Sequence, residues 1–251
     1  VLSSQHPYVV MDRLPGADLA KHLAREGAIP VPVAADVVRQ LCLCLADTHR
    51  HNILHGALTP SRLVVRSRAD GGLHVSVLGF ERRARCAPGY AAPEQLGARR
   101  DLDGRVDVWA LGILLHEMVT GQRAFRVTTL DAMRSQVLSG PLPSMRSPHG
   151  PVPAELDAAV RRATSLHRSG RFPTAHDLAA AVEPFVIGRR RSGVAADLRR
   201  TLVPVPRRPA LSTEIPVPRP SPDGSEGPAT ERSPSTAALP ALPPGAGDRP
   251  L

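Results

Sequence analysis

The sequence predicts a mainly α-helical domain with a few short strands, followed by a long proline-rich tail. Three observations carry this. The stretch Asp107 to Gly121, DVWALGILLHEMVTG, places apolar residues on every face of a helix, and a helix that is hydrophobic all round belongs inside a globular core. Amphipathic segments with helix-start signals flank it on both sides. From Val203 onward prolines recur every few residues among Ser, Gly, Ala and Arg, with too few large apolar residues to build a core.

Taken in order, Tyr8-Val9-Val10-Met11 is a β-rich apolar run and reads as a strand. Pro15-Gly16 makes a turn, and Asp18 to Arg25 a short helix. Pro32 opens a longer helix, with Val37, Val38, Leu41, Cys44 and Leu45 spaced for one buried face, ending near His51-Asn52. Leu63-Val64-Val65 and Val75-Ser76-Val77-Leu78 are strands, and Ala69-Asp70-Gly71-Gly72 supplies hairpin turn chemistry between them. In the central helix, Asp107 stands where an N-cap or a buried acceptor belongs and Gly121 where a helix stops. It is too short, and carries His116 and Glu117, so it is no membrane span. Thr128 with Asp131 resembles a capping box for a helix running to about Leu138. Pro141 to Pro153 is a loop, and Glu155 to Leu166 an amphipathic helix. Thr174 with Asp177 caps a further helix that reaches about Phe185. The basic run Arg189-Arg190-Arg191 precedes a weak helix from Val194 to Leu202. The expected organisation is a domain over 1–187 and a basic, then proline-rich, disordered tail over 188–251, partly polyproline II.

Composition narrows the function classes. The formal charge is +9, carried almost entirely by arginine. The chain has one lysine, Lys21, and one asparagine, Asn52, so a mechanism needing either residue elsewhere is excluded. Cys42, Cys44 and Cys86 form neither a metal pattern nor an even disulfide set. The histidines are scattered without ligand spacing, which argues against zinc. With no signal peptide and no 18-residue apolar run, a reducing cytoplasmic setting is expected.

The segment Ile53-Leu54-His55-Gly56-Ala57-Leu58-Thr59-Pro60-Ser61-Arg62-Leu63-Val64 resembles the catalytic loop of a protein kinase. Tyr8-Val9-Val10-Met11-Asp12 resembles the fifth strand and hinge, and Val77-Leu78-Gly79-Phe80-Glu81 falls where the kinase DFG motif belongs. Pro88-Gly89-Tyr90-Ala91-Ala92-Pro93-Glu94 resembles the end of the activation segment, through the APE motif. Asp107-Val108-Trp109-Ala110-Leu111-Gly112 resembles the kinase F helix, and Arg171-Phe172 the late arginine. The resemblance covers roughly residues 7 to 186. It is to bacterial serine/threonine kinases of eukaryotic type, and it implies a protein-kinase-like C-terminal lobe with the N-lobe largely absent. The glycine-rich loop, third-strand lysine and C helix would lie before the fifth strand.

The departures bear on activity. The catalytic aspartate that accepts the substrate hydroxyl proton corresponds to Ala57, and the lysine two residues on to Thr59. The asparagine that binds a second Mg²⁺ corresponds to Arg62, a cation where a metal belongs. The DFG aspartate corresponds to Gly79, and the arginine that senses activation-segment phosphorylation to Gly56. No Ser or Thr lies between Leu78 and Gly89. Met11, Asp12, Leu14 and Asp18 fall at the hinge, where the family contacts adenine and ribose, and Glu81 lies two residues past Gly79. The framework is kept: the resemblance pairs Glu94 with Arg171, packs His55 on Phe80, and makes Asp107 an acceptor for the backbone of the His55 loop. It implies a pseudokinase-like binding module without a catalytic set, metal or cofactor. The protein partner, unidentified, is engaged through the C-lobe surface or the proline-rich tail, where PxxP-like spacings such as Pro206 to Pro209 occur. The alternative is a working serine/threonine kinase using ATP and Mg²⁺, with an N-lobe upstream or supplied by a partner. Nucleic-acid binding by the arginines of 189–208 is a weaker expectation.

Overall fold

The structure is a computed structural model that describes residues 14–68, 72–80, 86–97, 101–140 and 142–186. All of these fall within the first of the chain's two compact units, Val1–Arg207; the second, Arg208–Leu251, lies wholly outside them. The expected strand at Tyr8–Met11, the turn residues Ala69 to Gly71, the helix at 194–202 and the proline-rich tail likewise lie outside the described residues.

About half of the fold is helical, with one three-stranded sheet. Strand β1 (Ala17–Asp18) leads directly into α1 (Leu19–Glu26), whose N-cap is Asp18: its Oδ1 accepts from the amides of Ala20 at 2.8 Å and Lys21 at 3.1 Å. Helix α2 (Val31–Arg50) begins with proline in its first turn and buries Val33, Val37, Val38, Leu41, Cys42 and Leu45, whereas Cys44, expected on that face, is exposed because the 3.6-residue period carries the buried stripe through 38, 41, 42 and 45. Strands β2 (Leu63–Ser67) and β3 (Leu73–Val77) form an antiparallel hairpin with Leu63 opposite Val77 and Ser67 opposite Leu73. Strand β1 pairs with the other edge of β2. The hairpin is longer than its β-branched runs suggest, because Arg66 and His74, paired across it, share the outward face while Ser67, opposite Leu73, continues the inward face of Leu63 and Val65.

Helix α3 (Pro93–Leu96) is a single turn. Helix α4 (Arg105–Thr120) is the post of the domain: every residue from Val106 to Val119 is buried. It packs against α2, α6 (Ala154–Ala163) and α7 (Ala175–Val182). Its approach to α6 depends on Gly112, where a β-carbon would lie 2.8 Å from Thr164 Cγ2 and 2.9 Å from Ala163 Cβ. Gly121 closes the helix in the left-handed conformation. The N-cap is Gly104, so Asp107 is not a cap; it sits inside the first turn as a buried acceptor. Helix α5 (Leu130–Leu138) is capped by Thr129 rather than Thr128, its side chain accepting from the Ala132 amide at 3.2 Å. Helix α6 stops at Ala163, three residues short of Leu166: Thr164 leaves the helical conformation (φ −100°, ψ 25°) and its hydroxyl donates to the Val160 carbonyl at 2.8 Å. Thr174 and Asp177 form a reciprocal capping box on α7, which tightens into a 3-10 turn over Glu183–Phe185.

Candidate functional site

The site is a loop held from beneath by one buried carboxylate. At the end of α2, Asn52 takes a positive φ of 57° and turns the chain back over the N-terminus of α4. Asp107, fully buried, then collects three donors. Its Oδ2 accepts from the His55 amide at 3.0 Å and from His49 Nε2 at 2.8 Å, and its Oδ1 from the Gly56 amide at 2.8 Å. The Gly56 carbonyl accepts from Gln95 Nε2 at 2.7 Å, which ties the loop to α3. One residue of the central helix thus fixes the position of residues 55–56, and the chain runs on through buried Ala57, Leu58 and Thr59 into a 3-10 turn at Pro60–Arg62.

His55 has both ring nitrogens committed. Nδ1 accepts from the Ala57 amide at 3.3 Å, so Nε2 carries the proton and donates to the Leu78 carbonyl at 3.0 Å. Burial holds its pKa below the ordinary value, against the opposing pull of that carbonyl bond and of Asp107, and Arg62 pushes it further down. The ring is neutral and meets Phe80 edge-on, centroids 4.9 Å apart. A histidine with both nitrogens bonded inward is a structural clamp between the loop and the segment after β3, and has no lone pair left for a substrate proton.

Arg62 closes the other side of this corner. Its Nη1 donates to the Gly79 carbonyl at 2.8 Å, while its own carbonyl accepts from the Leu78 amide at 2.8 Å. The guanidinium lies directly over Gly79, whose φ is +82°: a β-carbon there would overlap Nη1 and sit 3.0 Å from Cζ. The glycine leaves the space and the arginine fills it. Thr59 Oγ1 and Ser61 Oγ bond to one another at 3.0 Å. A magnesium ion asks for oxygen ligands in near-octahedral array; glycine and arginine at this corner provide none, and the arginine brings the wrong charge. The residues present therefore do not fit Mg²⁺. Among the described residues no group of three or more His, Cys, Asp and Glu is placed to hold a metal.

Glu94 and Arg171 are joined by two parallel bonds, Nη1 to Oε1 at 2.7 Å and Nη2 to Oε2 at 2.8 Å. The remaining donors of Arg171 reach the carbonyls of Ser165, Arg105 and Leu166 at 2.8, 3.0 and 3.3 Å. All five guanidinium N–H groups are satisfied in a position of zero side-chain exposure. The cation also faces Trp109 at 5.0 Å. Of the hinge residues, Met11 and Asp12 lie outside the described residues, as does Glu81. Leu14 is half-buried, and Asp18 is engaged as the cap of α1.

Sequence reasoning passed over one part. A cavity of about 410 Å³ opens beside the loop, lined by Leu23, Thr59, Ser61, Tyr90, Glu117 and Arg123 among others. Glu117 is buried in its wall, accepts from the Tyr90 hydroxyl at 2.5 Å, and has Arg123 Nε at 3.9 Å. Burial raises the Glu117 carboxyl above its ordinary range, against the bond from Tyr90. Burial and then the carboxylate raise the Tyr90 phenol. In the sequence Glu117 stands next to His116 in the central helix, and nothing local ties it to Tyr90, 27 positions away.

Comparison with known proteins agrees with this geometry. The family described as "Protein kinase domain" matches residues 1–162. Serine/threonine-protein kinase PknB of Mycolicibacterium smegmatis is 29% identical over 193 residues, 69% of this chain and 29% of that protein. Serine/threonine-protein kinase PknL of Mycobacterium tuberculosis is 27% identical over 192 residues, 71% of this chain and 47% of that protein. Serine/threonine-protein kinase ULK3 of Rattus norvegicus is 29% identical over 141 residues, 53% of this chain and 30% of that protein. The chain thus spans less than half the length of each of these relatives. It belongs to the protein kinase family, and within it to the bacterial, eukaryotic-like serine/threonine kinases.

Proposed function

We propose that this chain is a pseudokinase-like module of the family: it keeps the helical framework, does not transfer phosphate, and acts by binding a protein partner in signalling. One observation carries the reading, the guanidinium of Arg62 seated over Gly79. Family kinases neutralise the triphosphate with Mg²⁺ held by an aspartate and an asparagine, and orient the hydroxyl with a further aspartate. The corresponding positions here are Gly79, Arg62 and Ala57. A side chain on residue 79 able to reach a metal would have to displace the arginine. His55, clamped between Leu78 and Ala57, supplies no substitute base. Phosphoryl transfer is almost entirely positioning and charge stabilisation, and both are withdrawn from this corner while the bonds that fix the fold are kept.

The test is direct. The purified 251-residue chain, given labelled ATP with Mg²⁺ or Mn²⁺ and a generic protein substrate, is expected to leave no label on either protein. Incorporation that is lost when Asp18 or Glu81 is mutated would overturn the reading. It would favour the alternative that the relatives' names suggest, an ATP-dependent serine/threonine kinase completed by an N-lobe upstream or from a partner.

A further inference from the structure

We propose that the segment Val194 to Leu202 folds back as a short amphipathic helix and docks, antiparallel, along the open face of α2 centred on Leu43. The inference goes beyond the reading above and holds whether or not the chain transfers phosphate. Three sides of α2 are covered, by α4, by α7 and by β3. The fourth is open at mid-helix, where Leu43 is 40% exposed and Cys44 is exposed beside it. The two flanks of this face differ in charge. Arg39 and Arg50 share one row on the side of the 3-10 turn Glu183–Phe185, where Arg39 Nε meets Glu183 Oε2 at 3.5 Å. Asp47 lies on the other flank with Gln40, whose side-chain amide donates to the Leu73 carbonyl and accepts from the Val75 amide of β3, each at 3.3 Å. Asp47 pairs with Arg50 within the helix, and both are largely exposed.

The chain supplies the occupant from the place where it leaves the domain. Val186, the last described residue, follows directly on that 3-10 turn, which packs against α2. Ile187 to Gly193 make a linker of seven residues, which spans roughly 23–25 Å when extended. From Arg39 to the end of α2 at Arg50 is about 16 Å along the axis, so the linker reaches that end. Past it, Val194, Leu198 and Leu202 recur every four residues and form one apolar stripe in helical spacing. After Pro204 no proline-free run exceeds six residues, so this is the only helical candidate in the tail. A helix of nine residues is not stable alone in water and needs a surface against its stripe. Asp197 and Arg199 flank the stripe on opposite sides. With Leu198 over Leu43 and the two helices antiparallel, Arg199 falls on the Asp47 side and Asp197 on the side of Arg39 and Arg50. In the parallel direction like charges would meet, so charge selects the antiparallel one.

The experiment follows the full chain by amide hydrogen exchange, read peptide by peptide, and by the rate at which N-ethylmaleimide modifies Cys44, located by mass spectrometry. Protection across 194–202 is expected, and Leu43→Asp is expected to lower it roughly 10- to 100-fold, the worth of one buried leucine. Because Leu43 is exposed on the domain, protection of α4 should stay at the parent's level, which separates undocking from unfolding. In the reciprocal direction, Leu198→Asp should speed the modification of Cys44 and leave Cys86 at the parent's rate. Asp47→Arg should lower the protection of 194–202, and adding Arg199→Asp in the same chain should restore it. The proposal is overturned if 194–202 exchanges in the parent at the rate of an unstructured peptide, or if its protection survives Leu43→Asp. It is equally overturned if Cys44 reacts as fast in the parent as in Leu198→Asp, or if the second charge reversal restores nothing. Protection that disappears on dilution would show that a second copy supplies the segment, and would overturn the fold-back as well.

Discussion

The contact between Arg62 and Gly79 makes a quantitative prediction. Gly79→Ala adds one methyl group where the guanidinium now lies, overlapping Nη1 and 3.0 Å from Cζ. Two costs follow. At φ +82°, a residue with a β-carbon is disfavoured by about 1–2 kcal/mol relative to the right-handed alternatives. The arginine must also swing away from the Gly79 carbonyl, giving up a charged hydrogen bond worth about 1.5–3 kcal/mol. Together these place the loss near 2.5–5 kcal/mol, a fall in thermal midpoint of roughly 5–20 °C for a domain of this size. In Arg62→Ala the hydrogen bond is lost but the backbone strain is not incurred. In the double variant the bond is lost only once, so the two losses fall short of additive by about 1.5–3 kcal/mol.

Urea unfolding of the four proteins in one buffer measures this cycle, with the slope checked for constancy so that the midpoints report stability. A coupling energy within about 0.5 kcal/mol of zero would mean the two residues are independent. That result would remove the basis for treating the arginine and the glycine as one feature. Gly79→Asp provides a control on the chemistry. Its carboxylate can pair with the displaced guanidinium, so it is expected to lose less stability than Gly79→Ala, and still to restore no phosphate transfer.

Other expectations can be checked with the same material. Glu94→Ala and Arg171→Ala should each destabilise the domain by about 3–5 kcal/mol, because each strands a buried charge, and the double variant should be no worse than either; additive losses in urea unfolding would show that the pair does not interact. Burial holds the imidazoles of His22, His55 and His116 below their ordinary value of 6.5, so below that pH the unfolded chain takes up protons first. Stability is then full above about pH 6.5 and declines as the pH falls toward the lowered values. Glu117, with its raised carboxyl, works in the opposite sense, gaining stability as the pH falls toward its unfolded value. Three histidines against one carboxyl predict a thermal midpoint that drops from pH 7 to pH 5.5; replacing the three by glutamine should flatten that slope, and an unchanged slope would assign it elsewhere.

The parts of the fold legible in the sequence are those governed by local rules. The central helix announces itself because a segment apolar on all faces has no stable place except the interior. The Thr174–Asp177 box announces itself because both partners lie within one turn. Errors appear where two neighbours compete for one role. Thr128 and Thr129 are equivalent by composition, and only the extended backbone of Thr129 (φ −123°, ψ 155°) puts its hydroxyl under the Ala132 amide. Asp107 had two roles open to it, and the three donors converging from 49, 55 and 56 decided for the interior acceptor. None of those donors is near it in sequence, so no local pattern could have settled the choice.

The site was half legible for a deeper reason. Read one position at a time, Arg62 and Gly79 are two separate losses, an asparagine and an aspartate that a kinase would need. Read together in space they are one feature. The glycine is the only residue that leaves room for the guanidinium, and the guanidinium donates to the carbonyl of that same glycine. The two lie 17 positions apart, with the β2–β3 hairpin between them, so the complementarity exists only once the hairpin register has set Leu63 against Val77. Random decay of a catalytic site would leave each lost ligand as a gap or an unsatisfied group. Here the two changes satisfy each other, while the Asp107 bonds beneath them and the Glu94–Arg171 pair behind them are intact. A corner whose two unlike residues satisfy each other, on a loop held by Asp107 and beside a fully bonded Glu94–Arg171 pair, is a packed part of the fold.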